Sequence, residues 1–255
     1  LEFADHVTTK TATCISKAEC SVCGEYDEFA PHTYENGKCT VANCENACAH
    51  ETITDGVCVT CGGKHCGNTK NDKVVWFYDE DTTILTITGS DDLAGYTIGE
   101  APWEAYREII RGIDIKDGVT SIGNLAFCGC ENLTSVTIPK SVTEIGKYAF
   151  YYCKNLQGVE IPEGVKTIGN DAFENCASAT SLTIPSTVKS IGAEAFENML
   201  SLQEVQYNAI ECADCSSSYG IFASSGQEGS GIKVTIGSQV TRIPGYLFYS
   251  GGSAD

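Results

Sequence analysis

Apolar residues in the second half of the chain return at a fixed interval. Phe127, Phe150, Phe173 and Phe196 stand 23 residues apart, and Ile122, Ile145, Ile168 and Ile191 keep the same step, as do Ala126, Ala149, Ala172 and Ala195. One unit, residues 133–155, reads LTSVTIPKSVTEIGKYAFYYCKN. Val136 and Ile138 alternate with Ser135 and Thr137, which predicts a short strand with one buried face. Pro139 ends that strand, because it has no N–H to give to a ladder. VTEIG predicts a second short extended stretch, with Gly146 making the turn after it. KYAFYYC places Ala149, Phe150 and Cys153 on one side at helical or 3-10 spacing. A coil with so many inward apolar residues cannot shield them alone, so neighbouring coils must stack. A period of this size is the mark of a solenoid.

The interval breaks once. Phe196 and Phe248 are 52 residues apart, and the excess, YNAIECADCSSSYGIFASSGQEGSG, is rich in Ser and Gly. It predicts a loop inserted between coils at about 208–231. The last coil then has little to cover it, and a continuing chain is expected there. Upstream, residues 73–108 begin with VVWFYDEDTTILTITGS, two strands around an acidic turn. This hairpin is expected to cap the open end of the solenoid, with Trp76 and Trp103 as packing residues.

The recurring string L-x-x-V-x-I-P-x-x-V-x-x-I-G-x-x-A-F-x-x-C runs through residues 109–207 and returns weakly at 232–248. It resembles the repeats of the BspA-like leucine-rich repeat family of bacterial surface proteins. It lacks the Asn ladder of the better-known leucine-rich repeat pattern. The fold class expected is a β-rich leucine-rich repeat solenoid with short helical or 3-10 turns over 109–255. A small, irregular Cys/His-rich region, residues 1–72, precedes it. The resemblance implies an extracellular or cell-surface, non-enzymatic binding or adhesion module. Its implied partner is a host matrix or cell-surface protein, or a glycan. Two other readings stay open: a structural spacer or stalk, and a carbohydrate-binding accessory region of a secreted enzyme.

Charge narrows the partners. The chain carries 34 acidic against 16 basic residues, a net charge of -18. A nucleic-acid binder needs a basic face, and none is visible. No apolar run approaches the roughly 18 residues of a membrane span, so no insertion by this chain is expected.

Cysteine divides the chain. Nine of the 15 Cys lie between Cys14 and Cys66, and all four His fall before residue 72. CSVCG at 20–24 and CVTCG at 58–62 have a zinc-knuckle shape, in which two thiolates two residues apart hold one tetrahedral ion. One register groups His6, Cys14, Cys20 and Cys23, then His32, Cys39, Cys44 and Cys48, then His50, Cys58, Cys61 and Cys66. Shifting by one gives Cys14-Cys20-Cys23-His32, Cys39-Cys44-Cys48-His50 and Cys58-Cys61-His65-Cys66. Either register yields Cys₃His sets suited to structural zinc. Disulfides are the alternative, although nine Cys cannot all pair within the segment. Closed four-ligand sites are structural, and so many equivalent Cys single out no nucleophile; no catalytic residue is assigned.

The solenoid surface offers one further candidate. Outward strand positions, such as Ser135, Thr137, Gly158 and Glu160, are small or polar. Tyr148, Tyr151 and Tyr152 instead flank Phe150 and form a candidate contact patch, since binding hot spots favour aromatic anchors. The fourth copy of the repeat carries Met199 where the others carry Cys130, Cys153 and Cys176. Met forms no disulfide, so these three Cys read as buried packing residues with free thiols. Metal analysis of the intact protein is expected to find zinc near three per chain; no metal together with no free thiols would replace zinc by disulfides. Thiol counting under denaturing, non-reducing conditions is expected to find at least the three repeat thiols.

Overall fold

The computed structural model describes residues 69–70, 73–215, 220–229 and 231–248 in full, and five short strands between residues 34 and 68 by their backbone. The chain forms two compact units, Leu1–Asn68 and Thr69–Asp255. In the first, β1 (Tyr34–Glu35) pairs antiparallel with β2 (Lys38–Cys39), and β3 (Ile53–Thr54) with β4 (Val57–Cys58). The last strand of this unit is β5 (Cys66–Asn68).

The second unit is the solenoid. It opens with an antiparallel hairpin, β6 (Val74–Asp79) and β7 (Ile84–Gly89), whose alternation buries Val74, Trp76, Tyr78, Leu85 and Ile87. β8 (Gly112–Ile115) adds to β7 in parallel, and β10 (Ser135–Thr137) adds to β8. A second parallel sheet continues the winding with β12 (Gly158–Glu160), β14 (Ser181–Ile184), β16 (Glu204–Tyr207) and β17 (Lys233–Ile236). The register aligns Val159, Leu182 and Val205 on the buried side. Each coil also gives a two-residue strand to a third ladder: β9 (Ser121–Ile122), β11 (Glu144–Ile145), β13 (Thr167–Ile168) and β15 (Ser190–Ile191). That register puts Ile122, Ile145, Ile168 and Ile191 in line, all buried. The 3-10 turn Glu104–Tyr106 follows Trp103 at the cap.

The arm after each IG pair folds as successive i→i+3 turns. In one coil, Tyr151 N–H donates to Tyr148 O at 3.2 Å and Cys153 N–H to Phe150 O at 3.2 Å. The intervening amides leave the coil: those of Tyr148, Phe150 and Tyr152 donate to Asn170, Ala172 and Glu174 of the next one, at 2.8–3.0 Å. This satisfies backbone that a lone turn would leave unpaired.

A column of rings fills the core. Trp103 stacks on Phe127 at 5.4 Å, and Phe127, Phe150, Phe173 and Phe196 follow at 5.3, 5.0 and 5.7 Å. Trp103 Nε1–H also donates to Ala126 O at 2.9 Å, tying the cap to the first coil. The column then continues through Phe222, 5.4 Å from Phe196, to Phe248 at 5.7 Å. This departs from the expected inserted loop at 208–231. Phe222 lies 26 residues beyond Phe196 and 26 before Phe248. Phe196 N–H donates to Ile221 O at 3.0 Å and Asn198 N–H to Ala223 O at 2.9 Å, the bonds that joined the earlier coils. Residues in this stretch therefore build a longer coil, whose ring fills the same column.

The repeat cysteine is also more than a filler. Cys153 Sγ donates to Phe127 O and Cys176 Sγ to Phe150 O, each at 3.4 Å, binding a coil to the one before. Cys130, Cys153 and Cys176 are free, buried thiols. The repeat glycine has a different role from the turn maker expected. None of Gly123, Gly146, Gly169 and Gly192 has positive φ. A Cβ on Gly146 would instead fall 2.7 Å from Asn124 N and 2.8 Å from Gly123 C, both backbone of the preceding coil. The glycine is required by close approach of chain to chain. At the far end β17 is exposed along its length, as is Phe248.

Gly146→Ala is expected to destabilise the solenoid by about 1–3 kcal/mol through overpacking against backbone. Gly158→Ala, whose nearest neighbour would be Ser181 Oγ at 3.5 Å, is expected to be neutral or stabilising in the same chemical-denaturation experiment. Phe150→Ala, which removes a fully buried ring, is expected to cost about 3–5 kcal/mol.

Candidate binding surface

Inward positions of each turn arm are taken by the repeat Ala, Phe and Cys. The remaining side chains project outward, and left-handed backbone helps to present them. Two residues per coil adopt it: Leu125 and Gly129, Tyr148 and Tyr152, Asp171 and Asn175, Glu194 and Asn198, with φ between 55° and 73°. Because four successive coils repeat these angles, they are the geometry of the repeat and not strain at one site. Residues 23 apart then fall into columns. Tyr148, Asp171 and Glu194 form one, Tyr151, Glu174 and Glu197 a second, and Tyr152, Asn175 and Asn198 a third.

The three tyrosines meet. Tyr148 and Tyr151 pack edge to face at 5.5 Å between centroids, and Tyr151 and Tyr152 lie at 5.0 Å. Tyr148 is 38% exposed, and the other two are half-buried. Lys154 Nζ sits 4.7 Å above the Tyr152 ring while pairing with Glu131 at 3.0 Å. The next two coils bring carboxylates. Oxygens of Asp171, Glu174 and Glu194 lie within 4.8 Å of one another, close enough to share one cation. Asp171 is buried, and Glu174, Glu194 and Glu197 are half-buried. The Tyr148 hydroxyl donates to Asp171, and Asn175 Nδ2 donates to Glu174 Oε1 at 2.8 Å.

Crowded like charges alter protonation here. Burial, then the hydrogen bond and charge of Asp171 and the charges of Glu197 and Glu194, push Glu174 up to about 7. Burial and the Asp171 charge raise Glu194 as well, and burial raises Glu197. The Asp171 carboxylate, more than burial, lifts Tyr148 above its ordinary value, keeping it a neutral donor. The surface thus holds a cluster of crowded carboxyls, with Glu174 pushed up to about 7, bordered by aromatic rings.

The structure brings together all three tyrosines singled out from sequence. Asp171, Glu174, Glu194 and Glu197 were not anticipated; the signal for them is the 23-residue step from Tyr148 and Tyr151. The candidate zinc ligands His6, Cys14, Cys20, Cys23, His32, Cys44, Cys48, His50 and Cys61 lie outside the described residues. Cys39, Cys58 and Cys66 fall in β2, β4 and β5, whose side chains lie outside them too. The repeat thiols carry no nucleophile: burial pushes Cys130 up to about 12 and raises Cys153 and Cys176 well above the ordinary thiol value. Outward strand positions of the regular coils are small or polar, with Ser135, Thr137, Glu160 and Glu204 exposed, while Phe77 and Ile84 of the hairpin and Val234 and Ile236 of β17 are exposed apolar residues. Among the described residues no helix is long and apolar enough to cross a membrane.

A family model for the BspA type leucine rich repeat region, in 6 copies, matches residues 104–217. No curated protein matches. Among solved structures, a leucine-rich repeat protein from Bacteroides ovatus ATCC 8483 is 23% identical over 70% of this chain and 49% of that one, with a TM-score of 0.49. Another, from Eubacterium ventriosum ATCC 27560, is 26% identical over 58% of this chain and 43% of that one, with a TM-score of 0.43. The pneumococcal vaccine antigen PcpA is 19% identical over 69% of this chain and 43% of its own, with a TM-score of 0.44. This chain spans less than half the length of each of the three. The stretch 104–217, which is most of the regular coils, is thus similar to the BspA type leucine rich repeat region.

Proposed function

We propose that the chain is a non-enzymatic binding module of a bacterial cell-surface protein, and that its solenoid offers the tyrosine turn face to a macromolecular partner. One observation carries this reading. Tyr148, Tyr151 and Tyr152 converge on one outward arm, held in place by turns that four successive coils repeat. Rigid aromatic rings bury much area at small entropic cost, and binding anchors are enriched in them. The outward strand positions of the regular coils, Ser135, Thr137, Gly158, Glu160, Ser181, Thr183, Glu204 and Gln206, include no aromatic residue. Attachment to a host matrix or cell-surface protein, or to a glycan, follows from the family resemblance. The Cys/His-rich region is proposed as a structural unit held by zinc or by disulfides.

Binding of the intact protein to a panel of matrix proteins and to a glycan array tests the reading. Replacement of Tyr148, Tyr151 and Tyr152 together by Ser is expected to weaken the partner found by tenfold or more, roughly the loss of one hot spot. The fold is expected to persist by circular dichroism, since the rings lie outside the core column. Unchanged affinity in a folded variant would remove the turn face as the binding surface.

A further inference from the structure

The turn face has a chemical bias beyond its rings. Asp171, Glu174, Glu194 and Glu197 stand beside Tyr148 and Tyr151, one and two coil steps along the axis. No ion pair among the described residues includes any of these four carboxylates. The charges that perturb Glu174, Glu194 and Glu197 all come from acidic groups. The rings meanwhile already accept a cation, because Lys154 Nζ lies 4.7 Å over Tyr152. An apolar or anionic partner laid on this face would strip water from the carboxylates and give them no counter-charge. Guanidinium and ammonium groups answer both features, stacking on a ring and bonding a carboxylate.

We infer that the turn face takes an extended, Lys- or Arg-rich segment of a partner protein, its cations lodged between the tyrosine rings and the carboxylates of Asp171, Glu174, Glu194 and Glu197. This rests on the turn face being the binding surface. The spacing suits such a segment. Neighbouring coils are 5.0–5.7 Å apart along the ring column. Alternate side chains of an extended peptide lie about 6.6–6.8 Å apart. A segment running along the solenoid axis therefore meets the tyrosine coil with one cation and the two acidic coils with the next one or two. Binding is linked to protons. Glu174 faces Asp171, Glu194, Glu197, Tyr148 and Tyr151, and receives a hydrogen bond from Asn175. A proton held there at neutral pH must leave when a guanidinium takes its place, so affinity falls as pH drops below about 7.

The test is titration of the intact protein with the peptide Arg-Gly-Arg-Gly-Arg and with its Glu-Gly-Glu-Gly-Glu counterpart. The arginine peptide is expected to bind and the glutamate peptide not. The variant carrying Glu174→Gln, Glu194→Gln and Glu197→Gln is expected to lose about tenfold or more, the worth of one charge-assisted contact. A control with Asp117→Asn, Glu144→Gln and Glu160→Gln removes three exposed carboxylates elsewhere and is expected to change affinity by less than about twofold. Glu174→Gln alone is expected to flatten the pH dependence. Equal losses in the two triple variants would reduce the effect to net charge and overturn the inference, as would no loss in either. Displacement of the peptide by millimolar calcium would overturn it too, making the carboxylates a metal site. A partner whose binding depends on the tyrosines but not on the carboxylates would refute the cationic segment and leave the binding face standing. Independence from the tyrosines would remove both.

Discussion

No coil of this solenoid has a core of its own; each is completed by contact with the next. Rings in column at 5.0–5.7 Å show the contact most plainly. Parallel ladders fix neighbouring backbones about 4.8 Å apart, which is also close to the spacing that aromatic rings prefer. Backbone pairing and core packing therefore ask for one pitch, and neither strains the other. The glycine of each IG pair is the condition for that pitch. With a Cβ there, the turn arm of one coil could not lie against the backbone of the coil before it.

The same pitch acts without regard to chemistry. It aligns phenylalanines inside and whatever occupies the equivalent outward positions. Stacked rings attract, while stacked carboxylates repel at a separation where water screens them only in part. The Asp171–Glu194 and Glu174–Glu197 columns are thus unfavourable by the rule that makes the core favourable. Asn175 and Asn198, in the adjacent column, carry no such repulsion. Their left-handed backbone, which Asn tolerates well, accounts for the amides, while stacking gives no reason for the acids of the other two columns.

Much of this was legible in the chain because it is local. Alternation around Val136 and Ile138, Pro139 after them, and the 23-residue step of Phe127 to Phe196 gave strands, strand ends and a solenoid. What escaped depends on neighbours. Gly146 reads as a turn residue when one coil is considered, and its actual reason lies in Gly123 and Asn124 of another. Phe222 was hidden because SYGIFAS lacks the IG-x-x-A signature and changes the step to 26. The tyrosines stood out by type within one unit. The carboxylates did not, since Asp and Glu on a surface are ordinary until the step aligns them. The Cys/His region has no period, so its spacing narrows ligand sets without choosing a register.

Met199 shows how far the repeat can be edited. At its position Cys153 and Cys176 donate to a Phe carbonyl of the preceding coil, and Met has no proton to give. Phe173 O nevertheless keeps the Cys176 N–H at 3.2 Å, so the substitution forfeits a second bond and strands no acceptor. A thiol is a weak donor, and the buried Met side chain keeps the packing. In the following coil the position belongs to Ser225. Its hydroxyl donates to Phe196 O at 2.7 Å and accepts the Met199 N–H at 3.0 Å. The step lengthens from 23 to 26 at this junction, and a shorter hydroxyl bond stands there in place of the thiol. The position thus holds a small donor that clasps the coil before it at Cys153, Cys176 and Ser225, while Met199 supplies bulk alone where the acceptor has another partner.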